Sequence, residues 1–584
     1  MSKVIEFTSE KEMPPLVVSL ESTLYNKTGS WRYLRPVYHD KTAPCVEGCP
    51  AGEDVEGYMY LVGQGKFDEA WELIMKENPF PAVCGRVCYH PCEMSCNRGE
   101  YDEALSINAI ERVIGDHGLD MDVEKLRVRQ KNSHKIAVVG SGPSGLSCAY
   151  HLARLGYNVT VFESHSEPGG VLRVGIPEYR LPKDILNKEI ARIEKLGVVI
   201  ETNTAVGKDI RWDELLTYDA IYLASGVHKN RKLRVPGEDL TGVLSGLEFL
   251  QEVNNGKEVT LGERVAIIGG GNTAMDAART ALRLGAKPTI YYRRTRAEMP
   301  AIREEIEETE HEGIDMIFLV SPSKIFGENG KVRAIEFTRM ELGEPDESGR
   351  RRPVPITGSE FQIPIDNVIT AIGEQGDFSY LPEELQPNDG TIPINRTGQT
   401  AIPKVFAGGD IVPQPHTVVH AIGAGKRAAM AIDTFLNNKN LEELLPEIQI
   451  GYKGSLSFRR YVHDLPRDPV DNREVVHIEH VNLDHFEHVE RNPVPELGVS
   501  RRVTNFQEVR IGFSKEAAVE EAKRCFNCGV CNMCDNCLIY CPETAIKRRE
   551  DGYRYVIDYD YCKGCGVCVQ ECPRFAMTLE PEGK

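Results

Sequence analysis

No run of about 18 apolar residues occurs anywhere in the 584-residue chain, so nothing in it reads as a membrane-spanning helix. The N-terminus, MSKVIEFTSEKEMPPLVV, has no basic start, apolar centre and small-residue cleavage site of a secretory leader, so a cytoplasmic location without membrane insertion is expected. Positive charge is also short. Sixty-nine Lys and Arg face 88 Asp and Glu, a net charge of −19, which repels nucleic acid and anionic membrane surfaces at long range and leaves a neutral or basic protein as the fitting partner. Cysteine is nearly missing from the middle, where only Cys148 lies between Cys96 and Cys525.

What the middle lacks, the ends hold. Six cysteines fall at 45–96 and ten at 525–572. Two tight groups flanking a long body of 41% hydrophobic and 27% charged residues do not resemble the disulfide framework of a short secreted chain, and they favour metal ligation.

The length suffices for several domains. Residues 1–130 carry helical spacing, as in VEGYMYLVGQGKFDEAWELIMKE, and read as a helical iron-sulfur domain. From KIAVVG onward, short β-branched runs alternate with helical patterns, which argues parallel sheets with crossover helices. The expected division is 131–260 and 373–445 for the halves of an FAD-binding domain and 261–372 for an NAD(P)-binding domain. A polar, proline-containing linker follows at 446–515, then a ferredoxin domain at 516–584.

Two dinucleotide fingerprints carry the centre. In VVGSGPSGLSCAYHLARLGYNVTVFE, Gly140, Gly142 and Gly145 follow a strand and open a helix, giving a tight turn, a backbone that can approach a pyrophosphate and close helix packing. Glu163 ends the next strand, where a carboxylate can accept ribose hydroxyls, and Gly170 lies in the loop beyond. In the second, ERVAIIGGGNTAMDAARTALRLGAKPTIYYRRTRAEMP, Gly269, Gly271, Asn272 and Thr273 open the helix and Ala274 replaces the last glycine. Arg293 and Arg294 end its following strand in place of an acid, which leans towards NADP, with NAD left open.

The second unit interrupts the first, as in flavin disulfide reductases, and KVFAGGDIVPQPHTVVHAIGAGKRAA supplies the returning half. Asp410 is then expected at the flavin ribityl chain and the helix from Thr417 at the isoalloxazine. With no cysteine between Cys148 and Cys525, the active disulfide of true disulfide reductases is absent and electrons must leave the flavin by another route.

CVEGCPAG and NPFPAVCGRVCYHPCEMSC, with LRVGIPEYRLPK, IIGGGNTAMDAAR, YRRTRAEMPA and FAGGD, resemble the glutamate synthase small-subunit family of NAD(P)H-dependent iron-sulfur flavoproteins over residues 40 to 435. The resemblance implies electron flow between NAD(P)H, FAD and clusters. Cys49, Cys88 and Cys92 match ligands of the flavin-proximal cluster, whose fourth ligand corresponds to Glu111, with Cys45 or Cys96 as alternatives and Cys84 as a packed non-ligand. Relatives carry two further cysteines upstream; here the corresponding positions, near Val37 and Asp40, are not cysteine, so one N-terminal 4Fe-4S cluster is expected.

At the C-terminus the unit CxxCxxCxxxCP occurs twice, as CNMCDNCLIYCP and CKGCGVCVQECP, the pattern of a bacterial two-cluster ferredoxin in which the fourth cysteine of each run serves the other cluster. One cluster is assigned Cys531, Cys534, Cys537 and Cys572, the other Cys562, Cys565, Cys568 and Cys541, making three clusters in all. Cys525 and Cys528, at the end of an expected helix, are read as unligated or as a register alternative. HIEHVNLDHFEHVE, with His477, His480, His485 and His488, reads as a solvated segment.

The expected fold is α/β: two Rossmann-like domains of the flavin disulfide reductase type, an N-terminal α-helical iron-sulfur domain and a bacterial-type ferredoxin domain. The expected function is an NAD(P)H:acceptor oxidoreductase with cofactor-borne chemistry and no catalytic acid or base. A flavin interconverts two-electron hydride and one-electron transfers, and the protein positions it. The layout is similar to the iron-sulfur flavoproteins that accompany dissimilatory sulfite reductase, which implies a protein electron partner of that type; a glutamate synthase small subunit is the alternative. A non-catalytic redox-sensing or scaffold flavoprotein is the alternative of another class. Homo-oligomerisation is left open.

Overall fold

The structure, a computed structural model, describes residues 8–12, 26–346, 349–387, 389–464, 474–550 and 554–582. The chain divides into two compact units: 42–478 with 488–527, and 1–41 with 479–487 and 528–584. Among the described residues no helix is long and apolar enough to cross a membrane.

The larger unit contains the two parallel sheets that the β-branched runs foretell. One has the order Val405–Ala407, Ala220–Leu223, Lys135–Val139, Asn158–Phe162, Val199–Glu201. The other runs Asp315–Phe318, Lys287–Tyr292, Arg264–Ile268, Asn367–Thr370, Val243–Ser245. In both, the strand that opens a fingerprint lies centrally and is buried at every residue after its first, as parallel strands covered by helices must be. The chain crosses between the two sheets as a short antiparallel pair, Lys229–Asn230 with Glu374–Gln375. An antiparallel meander, Val320–Glu328, Lys331–Pro345 and Arg351–Pro355, with Phe361–Pro364 on the middle strand, extends the second domain.

The helical segment packs on the first of these domains. Phe67, Ala70, Trp71 and Ile74 bury one stripe of the helix Phe67–Met75, at the spacing of a core-facing helix. The helices Pro81–Val87 and Ile107–His117 approach at backbone distance: a Cβ on Gly85 would stand 2.4 Å from the Arg112 backbone, and one on Gly115 would stand 2.3 Å from the Ala82 nitrogen. That approach brings Glu111, on the second helix, to the end of the first, where Cys84 and Cys88 lie.

The polar stretch from residue 446 is anchored at its start. Phe458 is fully buried. Glu77, itself buried and paired with Lys426 at 2.5 Å, accepts from the Ser457 hydroxyl at 2.7 Å and the Phe458 nitrogen at 2.8 Å. Further on, Val509 donates its N–H to the Tyr179 carbonyl, so this stretch straps onto the LRVGIPEYRLPK loop.

The smaller unit is built on the cysteine repeat. Leu34–Tyr38 pairs antiparallel with Met577–Pro581 and Ile546–Arg548 with Tyr555–Ile557, with one-turn helices Asn536–Ile539 and Val567–Gln570 between. The strand Leu34–Tyr38, within the N-terminal 130 residues, belongs to this unit.

Candidate functional site

The first fingerprint folds as its spacing requires. Gly140 turns with φ 98°, and Gly142 caps the helix Pro143–Arg154 with open space where a side chain would stand. That opening at a helix N-terminus fits a pyrophosphate. Glu163 is buried and accepts from the Ser141 nitrogen at 3.1 Å, the Ser141 hydroxyl at 2.5 Å and the His165 nitrogen at 2.7 Å. Gly170 (φ 54°) reaches the same turn, since a Cβ on it would meet the Gly142 Cα at 2.8 Å. Gly145 lies under it, packed on the Gly140 carbonyl.

The returning half closes over this turn. Asp410 is in the short helix Gly409–Ile411; burial pushes its carboxyl up and His416 opposes the shift. Thr417 caps the helix Val418–Leu436, accepting from the His420 nitrogen at 3.3 Å. This helix packs against Pro143–Arg154 and against the loop after Cys49: a Cβ on Gly423 would lie 2.3 Å from the Pro50 carbonyl oxygen. The helix Val418–Leu436 and the first cysteine group therefore share a packed surface.

Within that group, Cys49, Cys88, Cys92 and Glu111 converge. Burial pushes the Cys49 thiol well up, and Glu53 and Glu111 push it further; for Cys88 burial is joined by Glu111 and Cys49, and for Cys92 by Cys49, Cys88 and Glu111. Glu111 is fully buried; burial, then Glu53, Glu189 and Glu93, hold its carboxyl well above the usual range. Four buried acidic groups crowded together need cationic charge to ionise, which iron would supply if they ligate it, since thiolates and carboxylates ligate only when deprotonated. The donor set fits a cluster. Cys84 is also buried, in the helix Pro81–Val87, and its backbone carbonyl accepts from the Asn108 amide. Cys45 and Cys96 are half-buried on other elements. Asp40 is engaged in an ion pair with Arg554.

Tyr89 and His420 were not singled out by the sequence, although Tyr89 follows Cys88 directly. They stack with ring centroids 6.2 Å apart and planes 9° apart. Burial raises the Tyr89 pKa, and Cys88, Cys49 and Cys92 add to it, so the ring lies beside three of the four candidate ligands.

The second fingerprint repeats the geometry. Gly269 turns at φ 150°, and Gly271 caps the helix Asn272–Arg283, where an added Cβ would meet no atom nearer than 4.0 Å. Asn272 accepts from the Ile302 nitrogen at 2.9 Å, tying the turn to the RAEMPA segment, and Thr273 packs on Gly246. The two arginines part company. Arg294 is buried and bound to Asp346 at 2.5 Å and to the Arg351 carbonyl at 2.7 Å. Arg293 is exposed; burial of its stem lowers its pKa, and the Arg294 and Arg350 charges lower it further, the environment of a cationic patch that attracts an anion.

Behind this helix lies an ionic network that sequence reading missed. Arg180 binds Asp276 at 2.8 Å and Glu305 at 3.1 Å; Arg279 binds Glu305 at 2.7 Å and Glu312 at 2.8 Å; Arg502 binds Glu308 at 2.7 Å. It joins the LRVGIPEYRLPK loop, two helices of the second dinucleotide domain and the strap.

In the smaller unit, Cys531, Cys534, Cys537 and Cys572 line one cavity with Tyr38 and Tyr555, and Cys541, Cys562, Cys565 and Cys568 line another. These are the two quartets expected from the repeat. The Tyr38 hydroxyl lies 3.2 Å from the Cys537 sulfur. Burial pushes the Cys531 and Cys537 thiols up to about 11 and Cys568 to about 12, so here too ligation must displace protons. Among the described residues no three Cys, His, Asp or Glu side chains draw together as around a single ion; these eight cysteines line cavities instead. The histidine segment is largely exposed, at His477, His485 and His488, while His480 stacks on Phe575 at 4.5 Å and His488 on Tyr101 at 3.9 Å.

Comparison with known proteins agrees with this layout. Residues 134–425 match the pyridine nucleotide-disulphide oxidoreductase family, 37–123 match dihydropyrimidine dehydrogenase domain II with its 4Fe-4S cluster, and 555–578 match the 4Fe-4S binding domain. The NADP(+)-dependent formate dehydrogenase subunit beta of Moorella thermoacetica is 39% identical over 516 residues, 83% of this chain and 70% of that one. The NADPH-Fe(3+) oxidoreductase subunit beta of Geobacter sulfurreducens is 37% identical over 529 residues, 83% of this chain and 75% of that one. The glutamate synthase [NADPH] small chain of Escherichia coli is 37% identical over 417 residues, 67% of this chain and 88% of that one. The chain belongs to the pyridine nucleotide-disulphide oxidoreductase family, as an NAD(P)H-dependent iron-sulfur flavin oxidoreductase.

Proposed function

We propose that this protein is the NADPH-reactive subunit of a multi-protein redox complex, exchanging electrons with a protein partner by way of FAD and 4Fe-4S clusters. The observation that carries the reading is the packing of the helix Val418–Leu436 on the Cys49 loop, with His420 stacked on Tyr89. Bound flavin and clusters supply the change from hydride to single electrons. The chain's own residues do the positioning. Gly140, Gly142, Gly145, Gly170 and Glu163 hold the FAD pyrophosphate and ribose; Asp410 and the Thr417-capped helix flank its ribityl chain and ring. Gly269, Gly271, Asn272 and Thr273 receive the second dinucleotide, and exposed Arg293 takes its 2′-phosphate. Cys49, Cys88, Cys92 and Glu111 hold the flavin-proximal cluster, and the two comb quartets hold the ferredoxin clusters.

NADPH is favoured over NADH by Arg293 and by the three relatives described, each named for NADP or NADPH. Those relatives are named for formate dehydrogenase, Fe(3+) oxidoreductase and glutamate synthase, and none for sulfur metabolism, so a sulfite reductase-type partner rests on domain layout alone. A glutamate synthase role leaves the fused ferredoxin unit without a task. Rapid anaerobic mixing with NADPH tests the reading: the flavin band bleaches first and cluster absorption falls afterwards. A flavin band that NADPH leaves unchanged sinks it in favour of a sensing or scaffold protein.

A further inference from the structure

Asn78 lies between the helices Phe67–Met75 and Pro81–Val87 and has no exposed surface. Pro79 turns it out of helical backbone, and its side-chain carbonyl accepts from the Phe80 nitrogen at 2.8 Å, a turn that asparagine favours. Just beyond, the Glu189 carboxylate accepts from the Ala82 and Val83 nitrogens at 2.9 and 3.1 Å, so the start of the helix that carries Cys84 is fixed as well.

The bond to Phe80 decides which way the amide faces. A backbone N–H can only donate, so Oδ1 must be the atom that meets it and Nδ2 is left to point the other way. There it meets two carboxylates, Glu53 at 2.7 Å and Glu111 at 3.4 Å. Both are buried, and among the described residues neither forms an ion pair. The amide nitrogen carries a hydrogen for each of them. The Glu53 backbone N–H in turn lies beside the Cys49 sulfur. Asn78 therefore connects two members of the flavin-proximal set, Glu111 directly and Cys49 by way of Glu53.

A glutamate ligand needs such a partner more than a cysteine does. Its carboxylate turns about more side-chain bonds than a thiol, and a ligand whose orientation is not fixed from behind holds metal less tightly. We propose that Asn78 is a positioning residue of the flavin-proximal cluster: its amide holds the Glu111 carboxylate in the orientation that ligates iron, while Glu53 anchors the other hydrogen of the same amide. This role rests on the ligand set proposed above for that cluster. Cys84, whose thiol also lies beside Asn78, is the competing acceptor.

The test uses anaerobically purified full-length protein, with FAD, iron and the paramagnetic signals of the reduced clusters measured on each variant. Asn78→Asp keeps the acceptor for Phe80 and removes both donors. It is expected to shift the same cluster signal that Glu111→Ala shifts, to keep one FAD, and to release about four irons to a chelator about tenfold faster than the wild type. The Asn78→Asp/Glu111→Ala double variant should match Glu111→Ala alone, because the amide then has no ligand to hold. Cys84→Ser should leave that signal in place, and a signal that follows Cys84→Ser instead gives the amide to the thiol and overturns the proposal. A wild-type signal and iron release in Asn78→Asp, beside a shifted signal in Glu111→Ala, overturns the role of Asn78 and leaves the ligand set standing. Glu111→Ala with every signal unchanged overturns both. If Asn78→Asp loses FAD, Asn78→Ser, too short to reach both carboxylates, is read by the same signal: a shift supports the role and a wild-type signal overturns it. Flavin bleaching by NADPH is a separate measurement, so failure here leaves the electron-transfer function standing.

Discussion

Tyr89, the residue after Cys88, lies in near-parallel stacking with His420, in the first turn of the helix Val418–Leu436. This contact ties the candidate cluster ligands to the helix proposed to flank the flavin through two rings rather than through mobile aliphatic chains. Replacing Tyr89 with leucine is expected to slow cluster reduction a few-fold in stopped-flow traces with NADPH while the flavin phase keeps its rate. Equal slowing of both phases would show that the ring matters only for folding.

Arg293 and Arg294 are neighbours with different employment. Arg293→Ala should raise the KM for NADPH about tenfold or more, the scale of a lost hydrogen bond between charged groups, and leave the KM for NADH alone. Arg294→Ala removes the partner of Asp346 instead, so its expected signature is a lower unfolding midpoint with little change in the NADPH to NADH ratio. The reverse pattern would exchange their roles.

The buried network around Arg180 holds the second dinucleotide domain to the loop and the strap. Arg180→Met leaves Asp276 buried beside Glu305 without its cation, a change expected to cost about 3–5 kcal/mol in urea unfolding. The same variant should make the NADP-binding domain more susceptible to limited proteolysis. An unchanged urea midpoint would mean that the pair is solvated in the working protein.

His151 supplies a pH dependence with a definite sign. It is fully buried, packed on Phe458 at 4.4 Å, and burial, then Arg154 and Lys426, hold its pKa well below 6.5. The unfolded chain therefore binds a proton that the folded one refuses once pH falls below about 6.5, and stability drops by about 1.4 kcal/mol per pH unit from there. His151→Gln should flatten the slope by that amount between pH 6.5 and 5. Parallel wild-type and variant curves would place the acid sensitivity elsewhere.

The features legible in the sequence are those encoded at short range. A fingerprint needs three small residues within six positions between a strand and a helix, and the comb needs cysteines three apart with a closing Cys-Pro, so local spacing alone determines both Rossmann-like turns and both ferredoxin quartets. The alternation of β-branched runs and helices determines the parallel sheets for the same reason.

Tertiary structure decided the rest, because side-chain pairing across tens to hundreds of residues leaves no periodic trace. Nothing in NAIERVI says that Glu111 meets Cys49 and Cys88; the close approach of two helices through Gly85 and Gly115 does. Nothing in YRRTR separates the two arginines; Asp346, on the meander, claims one of them. The histidines at 477–488 read as solvated and three of them are exposed, but nothing in the sequence says that His480 and His488 also stack on aromatic rings remote in sequence. Charge and polarity mark Glu111 and Arg294 as surface, whereas the folded chain buries both, Arg294 with a partner in Asp346.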